Sequence, residues 1–126
     1  MGLDMYMKKV RKSTGDVIDN EVAYWRKANQ IRNWIVNHTD YPEGGNCIDF
    51  LLTKDNLTAL VADCKRVLLD HDLAPELLPT KSGFFFGSTD YSGYYFDDIE
   101  STVRQVEEIL KTTDFETEDI YYCEWW

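Results

Sequence analysis

The apolar residues Leu57, Leu60, Val61, Cys64, Val67 and Leu68 stand three, four, seven, ten and eleven positions after the first. Spacing this strict puts all six on one face of an α-helix. Thr53 is placed to cap its start, and Pro75 and Pro79 stop its continuation. A one-sided helix needs an apolar surface to lie on, so the chain must supply a second layer.

Strand patterns supply it. In GLDMYMKKV (2–10), Leu3, Met5 and Met7 alternate with Asp4, Tyr6 and Lys8, the period of a half-buried strand. CIDFLL (47–52), GFFFGS (83–88) and the closing IYYCEWW (120–126) read as three more by apolar and aromatic content. In GFFFGS, alternation sends Phe84 and Phe86 to one face and Phe85 to the other. The same segment can also be read as an aromatic binding loop.

Two further helices are expected. One runs from about Asn20 to His38, with Tyr24, Ala28, Ile31 and Ile35 on its apolar side and Asp19 as its cap. The other runs from Phe96 to about Lys111 through Ile99, Val103, Val106 and Leu110. The expected order is β-α-β-α-β-α-β, an α+β fold with about four strands and three helices. At 126 residues, positions 1–126 make a single domain.

No apolar run approaches the roughly 20 residues of a membrane span, and MGLDMYMKKVRK lacks the apolar core of a secretory leader. The expectation is a soluble cytoplasmic protein. Cys47, Cys64 and Cys123 are odd in number and lack metal-ligand spacing, so all three are expected reduced and packed. Charge is polarised. Residues 1–37 hold seven basic and four acidic side chains, and the remainder six basic and nineteen acidic, for a net charge of −10. Duplex DNA is disfavoured as a partner, whereas a positively charged protein surface is a natural one.

No catalytic residue, metal ligand or cofactor motif is assigned. His38 and His71 follow helices, where a histidine complements the C-terminal dipole, and Asp97, Asp98 and Glu100 sit at a helix start, where the dipole favours acids. The candidate ligand surface is a polar stripe on the first helix, where Arg26, Asn29, Gln30 and Asn33 recur at helical spacing, widened by Lys27 and Arg32. Guanidinium and amide donors suit a nucleotide-like ligand, and Trp25, Trp34 and Tyr24 beside them offer stacking surfaces. Ser82, Ser88, Thr89 and Tyr91, around the aromatic segment, are expected to border that stripe.

MGLDMY, VAYWRKANQIRNW, LLPTKSGFFFGSTDY and IYYCEWW together resemble a family of small proteins encoded by bacteriophages and prophages, and the resemblance covers most of the chain. It departs from the family pattern at Arg32, where a histidine is usual. The family brings no settled activity, so the resemblance implies context alone: a phage accessory protein in the bacterial cytoplasm that antagonises host defence. Three function classes follow: non-catalytic blocking of a host protein, sequestration of a nucleotide-like molecule, and an enzyme with an unrecognised site.

Overall fold

The computed structural model describes residues 2–83 and 86–126. Its elements are β1 (Asp4–Arg11), β2 (Val17–Arg26), α1 (Asn29–His38), β3 (Phe50–Leu52), α2 (Lys54–Leu69), a 3₁₀ turn (His71–Leu73), α3 (Ala74–Leu77), α4 (Gly93–Thr112) and β4 (Glu118–Trp125). The four strands form one antiparallel sheet in the order β2-β1-β4-β3, so the fold is α+β.

The strand count matches expectation, but one of the four is a different segment. Residues 20–28 are not the front of a helix. Val17–Arg26 pairs along β1, from Asp4 opposite Arg26 to Val10 opposite Val17. Tyr24, Ala28, Ile31 and Ile35 fit a helical period, but Ala23 and Trp25 also alternate, and only the strand reading gives their backbone a partner in β1. The junction settles at Lys27, whose φ of 57° no helix interior accepts. Asp19 therefore caps nothing, and α1 begins after Ala28 with no side-chain cap.

The strand expected over GFFFGS is not seen at its described residues. Phe84 and Phe85 lie outside the described residues, and Phe86 sits in a bend with no strand partner. Among the described residues the order is thus β-β-α-β-α-α-α-β, with a short α3 where the two prolines suggest only an end to the preceding helix.

The helices α2 and α4 match their periodicity. Thr53 accepts from the Asn56 backbone while the Asn56 side chain accepts from that of Thr53, a reciprocal cap. Leu57, Leu60, Cys64 and Val67 of α2 meet Ile99, Val106 and Ile109 of α4 in one core. Met5 and Met7 of β1, Ala23 and Trp25 of β2, and Ile120 and Tyr122 of β4 belong to the same core, which fixes the sheet's buried face. Its opposite face, carrying Tyr6, Lys8, Tyr24, Tyr121, Cys123 and Trp125, stays open among the described residues.

The free edge of β2 is closed at one point by a side chain. Gln105 of α4 accepts from the Tyr24 backbone N–H at 2.9 Å and donates to its carbonyl at 3.1 Å, as a neighbouring strand residue would. Edge strands left bare invite pairing with other chains. The bulge in the β1–β2 ladder between Met7 and Val10, with Asp19 and Glu21 nearby, guards the rest. No helix of the described residues is long and apolar enough to cross a membrane.

Candidate functional site

A cleft of about 300 Å³ opens where the β2–α1 junction faces the segment leading into α4. Arg26, Lys27 and Gln30 form one wall, Ser88 and Asp90 the mouth, and Tyr94, Asp97 and Asp98 of α4 the other wall. Four of the nine sequence-predicted residues, Arg26, Lys27, Gln30 and Ser88, therefore meet here.

They do not meet as an exposed helical stripe. Arg26 belongs to β2, and Asn29, Gln30 and Arg32 are buried. Trp25 and Trp34 are core residues and present no stacking surface: the Trp25 indole donates to Thr102 at 2.8 Å, and that of Trp34 to Asp63 at 2.9 Å. Two aromatics line the cleft: Tyr95, which is buried, and Tyr94, which is 84% exposed.

The expected adjacency between α1 and the 82–91 segment is present, and its agent is Asn29. Its amide nitrogen donates to the carbonyls of Phe86 at 2.9 Å and Ser88 at 2.8 Å, and its oxygen accepts from the Lys81 backbone at 3.0 Å. Asn33 donates to the Pro79 carbonyl at 2.9 Å. These amides fasten a loop, and so are not free for a ligand. Thr89 and Tyr91 close the same loop, because the Thr80 hydroxyl donates to the Thr89 carbonyl and the Thr80 N–H to the Tyr91 hydroxyl. Ser82 lies exposed outside the cleft lining.

Gly87 is required where it stands. Its φ is 84°, and a Cβ there would come within 2.9 Å of the Lys27 Cβ. The backbone of the loop thus lies directly on the Lys27 stem, which gives the cleft a rigid corner.

Asp98 is the chemically distinctive group. Since α4 starts at Gly93, Asp97 and Asp98 lie beyond its first turn, and the dipole explanation fails for them. Burial pushes the Asp98 carboxyl up to about 6, against a hydrogen bond from Gln30 that pulls it down, and Asp97 adds a further push upward. None of the ion pairs among the described residues includes Asp98.

A raised carboxyl has a definite pH signature. The folded state holds the Asp98 proton more tightly than the unfolded chain, so stability falls as pH rises from the ordinary aspartate range of roughly 4 through about 6. The full cost applies above that. Asp98→Asn is expected to raise Tm relative to the parent at pH 7.5 and to lose the advantage at pH 4. The charged groups lining the cleft with Asp98 are Arg26, Lys27, Asp90 and Asp97, and all four are present in both the parent and the variant. A difference in Tm that does not change with pH would show that Asp98 is not the group responsible.

The core holds a feature the helical stripe concealed. Arg32, 2% exposed, donates through Nε to Glu124 at 2.6 Å and through its terminal nitrogen to the Glu43 and Gly45 carbonyls. Glu124, fully buried, also accepts from the Tyr122 hydroxyl and from the Trp126 indole at 2.8 Å. The guanidinium carbon lies 4.8 Å from the Phe86 ring centre, 5.5 Å from that of Trp126 and 5.9 Å from that of Tyr41. Burial, and then the Glu124 charge, hold the Tyr122 and Tyr41 phenols above their ordinary range. Strand parity carried the missed signal: Glu124 shares the buried face with Ile120 and Tyr122, and a carboxylate there needs a cation.

The histidines sit as their positions suggested. His38 lies in the last turn of α1, its Nδ1 2.9 Å from the Trp34 carbonyl, and His71 stacks on Phe96 at 3.8 Å. All three cysteines are free, but Cys47 is exposed rather than packed. No family model, curated protein or solved structure matches this chain.

Proposed function

We propose that this chain is a phage-encoded accessory protein that binds and blocks a protein of its bacterial host without catalysis, docking through the open face of its sheet onto a positively charged surface. The observation that carries this reading is the uncovered aromatic face. Tyr6 lies 5.1 Å from Tyr24 and edge-on to Trp125 at 6.0 Å, and Trp125 and Leu51 of the same face are 53% and 43% exposed. Tyrosine and tryptophan combine large apolar area with a polar tip and few rotatable bonds, the composition of interface anchors.

Charge selects the partner. Aromatic sheet faces can also stack bases, but phosphate binding is driven by cations, and this chain is net −10. Lys8, the cation at the centre of this face, is already paired with Asp49 at 2.6 Å. A basic protein surface, of the kind that otherwise holds nucleic acid, complements the molecule, and the resemblance to phage and prophage proteins supplies the host context.

The test is capture from a bacterial lysate with immobilised protein, comparing the parent with Trp125→Lys/Leu51→Lys. Both side chains are half exposed or nearly so, so the fold should survive. The parent should retain one basic protein in stoichiometric amount, releasing it as salt is raised. The double variant should lose at least about tenfold of that retention, since interface anchors commonly contribute 2 kcal/mol or more. Equal retention by the variant, or preferential binding of single-stranded RNA, would overturn the proposal.

A further inference from the structure

The cleft between the β2–α1 junction and α4 plays no part in the sheet-face interaction, and its lining is not explained by folding. Its walls carry opposite charge, Arg26 and Lys27 on one and Asp97 and Asp98 on the other, with Asp90 as a third acid at the mouth. Lys27 has no ion-pair partner among the described residues, and Arg26 has only the distant contact with Asp4. Tyr94 stands at the rim with an exposed ring, and Gln30, almost fully buried, backs Asp98. The Asn29 clamp and the contact between Gly87 and Lys27 hold this arrangement without a ligand.

We propose that this cleft binds a nucleoside monophosphate whose base presents two adjacent N–H donors, as guanine does, with the phosphate at Arg26 and Lys27, the ring against Tyr94 and the N–H edge on the Asp98 carboxylate.

Each part of that ligand answers a part of the lining. A guanidinium and an ammonium on one wall match a phosphate. The exposed Tyr94 ring offers a π-face to a planar base. A carboxylate only accepts hydrogen bonds, so it prefers an edge with two donors to the adenine edge, which pairs a donor with an acceptor. A volume of about 300 Å³ lies at the lower end of small-ligand pockets. Inorganic phosphate would leave Tyr94 and Asp98 unused, and a purely cationic ligand would be opposed by Arg26 and Lys27.

Calorimetric titration of the full chain with GMP, AMP, guanosine and inorganic phosphate tests the proposal. GMP should bind one to one and at least about tenfold more tightly than AMP or guanosine, the discrimination expected from one good pair of base-edge hydrogen bonds and from a paired phosphate. Arg26→Ala, an exposed change, should bring GMP affinity down to that of guanosine. Asp98→Asn should bring GMP and AMP to within about twofold of each other. Circular dichroism of both variants confirms that the fold is intact. The proposal is overturned if GMP does not bind, if AMP or phosphate matches it, or if Arg26→Ala leaves its affinity unchanged. Tighter binding of free arginine or a polyamine than of GMP would also overturn it, by marking the cleft as a cation site.

Discussion

Glu124→Ala is expected to lower stability by about 3–5 kcal/mol, because it strands the Arg32 guanidinium in the core with its charge uncompensated. For a chain of this size that is a fall in Tm on the order of 10–20 °C, measurable by thermal melting or urea titration. The informative partner is Arg32→Met combined with Glu124→Leu. Apolar pairs of similar volume often replace a buried ion pair without loss, so the double variant should recover most of the stability lost by Glu124→Ala. Failure to recover would show that the hydrogen bonds from Tyr122 and Trp126, and those to the 43–45 carbonyls, matter more than the charge pair itself.

The second large effect is expected at Asn29. Its side chain makes three hydrogen bonds from a site that is 1% exposed, holding the Phe86 and Ser88 carbonyls and the Lys81 N–H. Asn29→Ala leaves these backbone groups without their partner, at about 1–3 kcal/mol for each group that stays buried and unsatisfied. A total loss of about 3 kcal/mol is expected, since part of the loop can recover water. Amide hydrogen exchange over residues 80–92 should accelerate while α2 and α4 keep their protection in proportion to global stability. Asn29→Asp keeps the acceptor but sets a buried carboxylate against the Phe86 and Ser88 carbonyl oxygens, so it should destabilise at least as much as Asn29→Ala if the clamp works as described. Unchanged exchange over residues 80–92 in Asn29→Ala would refute the clamp.

Local pattern was legible where one element carries its whole instruction. The apolar spacing through α2, its Thr53 cap, the periodicity through α4 and the alternation of β1 all encode geometry within a few residues. Residues 17–28 were not legible in this way. Tyr24, Ala28, Ile31 and Ile35 match a helix, Ala23 and Trp25 match a strand, and over so short a stretch the two periods overlap. The error then spread to the candidate site, because a stripe drawn along one helix joined Arg26 on a strand edge to amides that lie in the core. The residue types were nonetheless informative. Arg26, Lys27, Gln30 and Ser88 do line one cleft, though Asn29 and Asn33 serve the loop that walls it.

By itself the sequence determined the layer composition, an amphipathic helical layer over strands, along with the charge asymmetry and the aromatic content. These follow from near-neighbour spacing and from simple counts. Tertiary structure alone decided which face of the sheet stays open and that Val17–Arg26 pairs with β1. It also decided that Arg32 is neutralised by Glu124, 92 positions away, and that Asp98 faces Arg26 and Lys27 across a cleft. Pairing energy, desolvation and charge compensation depend on distance in space, and in each of these cases the partner lies beyond the reach of any local period.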